Sequence, residues 1–261
     1  MPHVVDDLVL ALGLADQADA MTMAAFSQPA TFMTKEDGTP VTETDRAVEV
    51  TLRDSLRLSR PLDGFLGEET GLAHGGGRCW IVDPIDGTRS FVAGGRAWAT
   101  QIALEEKGRV VLGVTSAPAL GSRWWGAMSV GAFRSAAGSD VAEPIWTTRT
   151  PKDSTTRWSC HPPFDVLPGR WRELAERLTV LGGPTANTSH PAIMVAEGEL
   201  DLCLQLEGAA WDYGAFAGIV QAAGGRFSYL DDSVRLAGVR PALFSNGSLH
   251  ATALALLNDD E

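Results

Sequence analysis

The chain has 261 residues, is 44% apolar, and sets Lys+Arg 21 against Asp+Glu 33 for a formal charge of −12. That length buries a full core in one large domain or two intimately packed halves, and the composition is that of an ordinary soluble globular protein. The acidic balance argues against nucleic acid and anionic membranes as partners, so a protein of this charge that handles a phosphate needs bound cations.

The opening "MPHVVDDLVLALGLADQADAM" carries acids where the basic region of a secretion signal belongs. No apolar run approaches the ~20 residues of a membrane span, so the expected location is cytoplasmic. Val5, Leu8, Leu12 and Ala15 recur at helical spacing and predict an amphipathic helix to about Phe26. "QPATFMTKEDGTPVT" breaks it with two prolines and an Asp-Gly turn. Thr42 and Asp45 then resemble a capping box that opens a second helix, with Val48, Leu52 and Leu56 as its buried stripe and Pro61 at its end.

From there the period changes. "GFLGEE", "RCWIVDP", "WATQIALEEKGRVVLGVTSAP" and "RWWGAMSVGAF" are short apolar or alternating runs divided by Gly, Pro and a Lys107-Gly108 turn, and read as strands and hairpins. The polar stretch from residue 136, "SAAGSDVAEP", is the expected boundary between an N-terminal α+β half, 1–135, and a C-terminal α/β half, 136–261. In the second half a helix in "GRWRELAERLTVL", a strand in "ELDLCLQL", a helix in "YGAFAGIVQAAGG", a strand in "RFSYL" and a last helix in "SLHATALALLN" alternate, and the tail "LLNDDE" reads as a frayed helix end. Cys79, Cys160 and Cys203 are odd in number, widely spaced and set among apolar neighbours, so they read as buried thiols rather than a disulfide or zinc framework. Trp124 and Trp125 read as core or interface aromatics.

"WIVDPIDGTRSF" places Asp83 and Asp86 three apart at the mouth of a strand, where like charges repel unless a cation sits between them or a proton is retained. The competing reading is that Asp83 merely caps a turn begun by Pro84. Glu68 and Glu69 close "GFLGEET", and Asp212 stands just ahead of an apolar helix, where an ordinary N-cap is the alternative. Carboxylates without histidine or cysteine suit Mg²⁺, Mn²⁺ or Ca²⁺. Gly87 and Thr88 open a short helix in "RSFVAG" whose free N–H groups favour an anion, and Gly87 lets the backbone approach it closely. Together these features describe metal-assisted attack of water on a phosphate ester.

The segments "KEDGTPVTETD", "GEET", "WIVDPIDGTRSF" and "WDYGAFAGIVQAAGG", in that order from Lys35 to the "SNG" at 245–247, resemble the inositol monophosphatase superfamily of Mg²⁺-dependent phosphomonoesterases. The resemblance implies a five-layered αβαβα sandwich like that of inositol monophosphatase and fructose-1,6-bisphosphatase, a homodimer, and a site between the halves. It implies that Glu68, Asp83 and the Ile85 carbonyl hold a first Mg²⁺, that Asp83, Asp86 and Asp212 hold a second, and that Glu69 and Asp45 lie near a third. It further implies that Glu68 and Thr88 activate water, that the Gly87 and Thr88 amides grip the phosphate, and that Lys35 sits at the edge of the cluster. Acids gathered in this way draw in cations whose summed charge exceeds their own, so the pocket becomes attractive to a phosphate dianion. Attack is expected in line without a phosphoenzyme, since no nucleophilic Ser, Cys or His occupies a motif.

"GVTSAPALGSRWWGA" resembles the histidinol-phosphate phosphatase branch more than the inositol branch. Two departures bear on the substrate. Gln205 stands where members of both branches commonly carry a glutamate, with Glu207 two positions on, and a neutral amide cannot pair with an ammonium as a carboxylate does. "NTSHPA", residues 187–192, replaces the usual segment, so Ser189 and His190 become candidate substrate-lining residues, with a solvated loop histidine as the other reading of His190. Histidinol phosphate or a related polar metabolite phosphate is the expected small-molecule substrate. The alternatives are inositol, sugar or nucleoside monophosphates, a 3′-phosphoadenosine nucleotidase, and a non-enzymatic Ca²⁺-binding structural module, which lacks the EF-hand pattern.

Overall fold

The computed structural model describes residues 2–28, 31–35, 38–137, 139, 141–149, 155–185, 190–230 and 240–258. Helix α1 (Pro2–Phe26) leads into a small hairpin, β1 (Phe32–Thr34) and β2 (Pro40–Thr42), and then α2 (Glu43–Ser59), β3 (Gly64–Gly67), β4 (Gly71–Ala73) and β5 (Arg78–Asp86). A short helix α3 (Thr88–Val92) precedes β6 (Ala99–Glu106), β7 (Arg109–Ala117), β8 (Ser122–Ala127), β9 (Gly131–Ala136) and β10 (Glu143–Ile145). The remainder runs β11 (Trp158–His161), α4 (Gly169–Glu176), α5 (Pro191–Ala196), β12 (Leu202–Gln205), α6 (Ala210–Ala222), β13 (Arg226–Tyr229), β14 (Ala242–Ser245) and α7 (His250–Asn258).

An eight-stranded sheet has the order β10-β9-β8-β7-β6-β5-β3-β4, and a four-stranded sheet the order β11-β12-β14-β13. All pairs are antiparallel except β3 with β5 and β11 with β12. Helices α1 and α2 cover one face of the larger sheet through Leu8, Leu14, Val48 and Leu52. Its other face and the smaller sheet enclose α5 and α6, where Ile81, Ala103, Ile193, Phe216, Cys203 and Phe244 share one core. Helices α4 and α7 close the outer face of the smaller sheet over Leu202, Leu204 and Leu243. Strand alternation sorts β12 between these cores, with Cys203 inward and Leu202 and Leu204 outward. The expected five-layered αβαβα sandwich is therefore present.

Several elements read from sequence take the expected form. Thr42 and Asp45 make a full capping box at the start of α2, and Lys107 (φ 53°) with Gly108 (φ 78°) turns the β6–β7 hairpin with two positive φ angles. Others shift. "KEDGTPVT" contributes to the β1–β2 hairpin rather than a plain break. The α6 helix begins at Ala210, so Asp212 lies inside its first turn, where its carboxylate accepts the Ala209 N–H at 2.5 Å. The helix expected through "GRWRELAERLTVL" is α only to Glu176 and tightens to 3₁₀ over Arg177–Val180. Strand β10 lies beyond residue 136 yet pairs with β9 in the larger sheet, so the division expected at 135/136 falls ahead of that sheet's last strand. The three thiols are unpaired, Cys160 and Cys203 buried and Cys79 half-buried.

Helix α1 corrects one exclusion, since its segment Val4–Phe26 is long and apolar enough by length and composition to cross a membrane. Its Leu8, Leu14, Ala11, Ala15 and Ala18 are buried in the core beneath it. Its acids are tied to the sheet side as well: Asp7 pairs with Arg60 and Arg78, and Asp16 and Asp19 with Arg123. These contacts make it a packing helix of the first layer.

Helix α6 lies directly on β7 because glycines face each other. A Cβ on Gly113 would meet Ala215 O at 2.1 Å, and one on Gly218 would meet Gly113 N at 2.5 Å. Backbone against backbone leaves no flexible group to yield, so this contact sets the height of α6 and, with it, of Asp212.

At the start of α7, His250 is buried between two hydroxyls, with Ser245 Oγ 2.7 Å from Nδ1 and Ser228 Oγ 2.9 Å from Nε2. Burial, then the nearby Arg226 charge, pushes its pKa down to about 4. An unfolded histidine titrates near ~6.5, so this preference for the neutral ring acts fully above that pH and is lost as pH falls toward 4. Between pH 7 and 5 the protein is expected to lose about 1 kcal/mol more than His250→Gln, after discounting for partial solvent access. Urea denaturation at both pH values checks this, and an equal loss in the two proteins contradicts it.

Candidate active site

The acidic motif sits on an irregular stretch of β5. Pairing with β6 runs in register to Asp83 opposite Gln101, shifts, and resumes at Asp86 opposite Ala99. Such a shift re-aims side chains, here bringing two acids from one strand end to a common side. Asp83 Oδ1 accepts the Ile85 N–H at 3.0 Å and so does close the turn around Pro84. Its other oxygen makes no hydrogen bond among the described residues, and the turn leaves it available as a ligand. Thr100 Oγ1 donates to Pro84 O at 2.8 Å and pins the bulge from β6.

Beyond Asp86 the chain enters α3 through Gly87, whose φ is +89°. A Cβ there would also lie 2.7 Å from Ala97 O, so both backbone conformation and space require glycine. Thr88 Oγ1 lies 3.0 Å from Ile85 O and 3.3 Å from Asp45 Oδ1. Asp212 enters from α6, and one carboxylate oxygen each from Asp83, Asp86 and Asp212 lie within 4.8 Å of one another. Glu68, at the end of β3, completes the acids of a cavity of about 410 Å³ that is also lined by Ile85, Gly87, Thr88, Arg89, His161 and His190.

Electrostatics register the crowding. Burial, then Glu68, Asp86 and Asp212, push the Asp83 carboxyl well above the ordinary carboxylate range. Burial and Asp86 raise Asp212 to about 7. Burial likewise raises Glu68 and Asp45. For Lys35, burial alone would lower the ammonium, but hydrogen bonds to Glu68 and Glu69 shift it upward instead. Its Nζ lies 2.7 Å from Glu68 Oε1 and 2.5 Å from Glu69 Oε1, a position set by the loop of the β1–β2 hairpin. A carboxylate cluster that costs this much to ionise, with free oxygens within ligand distance of one another, fits a divalent cation.

Two buried groups that sequence reading missed hold this arrangement. Glu49, fully buried on α2, accepts the Glu69 N–H at 2.8 Å, the Thr70 N–H at 2.7 Å and Thr70 Oγ1 at 2.5 Å. It fixes the turn that presents Glu68, and Gly67 leaves it room, since a Cβ there would sit 2.3 Å from Glu49 Oε1. The signal was visible: Asp45, Glu49, Leu52 and Leu56 recur at helical spacing, so an acid lies on the buried face. Gln101 Nε2 donates to Asp86 Oδ2 at 2.5 Å, while its Oε1 is buried without a partner among the described residues.

The substrate-side candidates divide. His190 is 7% exposed, packed between Trp124 and Phe216 at ring centroid distances of 6.3 and 6.1 Å, and so is a wall of the cavity rather than a solvated loop histidine. Ser189 lies outside the described residues. Gln205 is also 7% exposed and is absent from the cavity lining; its register partner on β11, His161, occupies the rim instead. Arg89, which sequence reading also missed, is exposed, lines the cavity and has no ion pair among the described residues.

A layered αβαβα fold whose larger sheet and α6 bring scattered carboxylates around one cavity, beside a glycine-opened helix, defines a metal-dependent phosphatase. The chain matches the inositol monophosphatase family over residues 5–260 and belongs to that family. It is accordingly a phosphoric monoester hydrolase. It is 41% identical to a histidinol-phosphatase of Mycobacterium tuberculosis, over 97% of this chain and 98% of that one, and 40% identical to a histidinol-phosphatase of Streptomyces coelicolor, over 99% of each. Among solved structures, an inositol monophosphatase from Zymomonas mobilis superposes with a TM-score of 0.78 at 28% identity, covering 97% of both chains.

Proposed function

We propose that the protein hydrolyses histidinol phosphate, or a closely related polar metabolite phosphate, with Mg²⁺ as its cation and Mn²⁺ as a substitute. The observation that carries the reading is the convergence of Glu68, Asp83, Asp86 and Asp212 on the cavity that Gly87 and Thr88 also line. In this reading Glu68, Asp83 and the Ile85 carbonyl hold one ion, Asp83, Asp86 and Asp212 a second, and Glu69 with Asp45 attend a third. Bound there, the ions supply Lewis-acid charge and lower the pKa of water.

The chain's own groups do the rest. Glu68 accepts the proton of the attacking water. Thr88 Oγ1, donating toward Ile85 O, keeps a lone pair that orients the same water. The Gly87 and Thr88 N–H groups hold the phosphate oxygens, and Lys35 offsets the charge of Glu68 and Glu69. The names of the relatives at 40 and 41% identity support histidinol phosphate over the other esters. A homodimer is part of the same proposal, and a monomer in sedimentation would remove it.

A panel of phosphate esters assayed with Mg²⁺ tests the reading. Histidinol phosphate is expected to give the highest kcat/KM, with turnover lost in EDTA. Equal rates in EDTA would refute metal dependence. Stabilisation by Ca²⁺ without hydrolysis of any ester would favour a structural module instead.

A further inference from the structure

We propose that His161 reads the alcohol portion of the ester, backed by His190, and that this wall selects a leaving group carrying a flat ring or an ammonium over a polyol. The inference rests on the proposed function and names the residue behind its specificity. Most of the cavity lining comes from the first sheet and α3, where the carboxylates and the Gly87–Thr88 backbone are occupied with ions and phosphate. The later half of the chain contributes Asp212, His161 and His190. With Asp212 among the ion ligands, the two imidazoles are, among the described residues, the side chains of this half that remain in the lining to meet the rest of the substrate.

Their environments differ in a useful way. His190 is fixed, buried at the start of α5 in a row of rings with Trp124 and Phe216. His161 is exposed at the end of β11, and Leu206 N–H donates to its carbonyl at 2.8 Å, which holds the strand end while the side chain is left at the rim. An imidazole face stacks on a flat ring, and an unprotonated ring nitrogen accepts a hydrogen bond from an ammonium. A cyclic polyol presents neither feature. Gln205, one strand over in register with His161 and buried beneath the rim, places an amide rather than a carboxylate at that position.

The test compares the wild type with His161→Ala and His161→Gln on histidinol phosphate and on glycerol phosphate, with Mg²⁺ present. Exposure of His161 makes both variants compatible with the fold, which thermal melts verify. The ratio of kcat/KM for histidinol phosphate to that for glycerol phosphate is expected to fall about tenfold in His161→Ala, mainly through KM. Inhibition by histidinol itself, which lacks the phosphate, should weaken by a similar factor. A ratio unchanged in both variants, or histidinol inhibition unchanged, overturns the assignment. A wild type that cleaves glycerol phosphate but not histidinol phosphate refutes the substrate reading first, and this inference falls with it.

Discussion

Asp83→Asn is expected to abolish phosphatase turnover, by about 10²–10³-fold or more, and at the same time to make the metal-free protein more stable by about 1 kcal/mol. The two effects have one cause. Asp83 is buried with Glu68, Asp86 and Asp212 acting on it, and its carboxyl is driven upward by burial and by their charge. The amide keeps the size, and its Oδ1 can still accept the Ile85 N–H, but it removes one negative charge from the cluster. Repulsion falls and ion affinity falls with it. Steady-state rates with Mg²⁺ and thermal melts with and without Mg²⁺ check both halves. The wild type should gain melting temperature from Mg²⁺ and the variant little or none. An Asn variant with normal turnover would remove the acids from the chemistry.

Gly113→Ala is expected to cost about 3 kcal/mol or more, seen as a lower urea midpoint with an unchanged slope. The added methyl would meet Ala215 O at 2.1 Å, and a carbonyl in a packed helix cannot rotate aside. Relief requires α6 to lift from β7. Because Asp212 rides in the first turn of α6 while Asp83 and Asp86 stay on β5, the same shift should weaken Mg²⁺ binding in the protein that remains folded. Gly218→Ala strains the same contact from the other side, so the double variant should cost less than the sum of the two. An unchanged midpoint for Gly113→Ala would mean the layers are held apart by something other than this contact.

The candidate site residues are legible in the sequence because their signals are local. Asp83 and Asp86 flank a proline beside a glycine that opens a helix, and the Thr42–Asp45 cap and the Lys107–Gly108 turn depend on neighbours within a few positions. Glu49 and Gln101 were equally present in the chain, but each looks ordinary until its partner arrives: Glu69 lies 20 positions from Glu49, and Asp86 lies 15 from Gln101. The sequence presents His190 first as a solvated loop histidine and only second as a pocket residue, because nothing adjacent in the chain announces Trp124 or Phe216 as its neighbours. His161 carried no signal at all, since its place at the rim depends on β11 pairing with β12, a four-residue strand whose partner begins more than forty positions later.

What the amino-acid order determined by itself was the set of acids, whose oxygens suit a divalent cation, the glycine beside them and the stripe of Val48, Leu52 and Leu56 that buries α2; of the four positions read on α1 only Leu8 and Ala15 are buried, and Val5 is 50% exposed. The acids, the glycine and the α2 stripe follow from side-chain chemistry and from backbone preferences that act over a few residues. Only the tertiary structure decided that Glu68, Asp83, Asp86 and Asp212 line one cavity, which side chains brace them and which others share the lining. These depend on the packing of α6 between two sheets and on β-sheet register, where distant segments choose one another by the area they bury together rather than by anything written at either position alone.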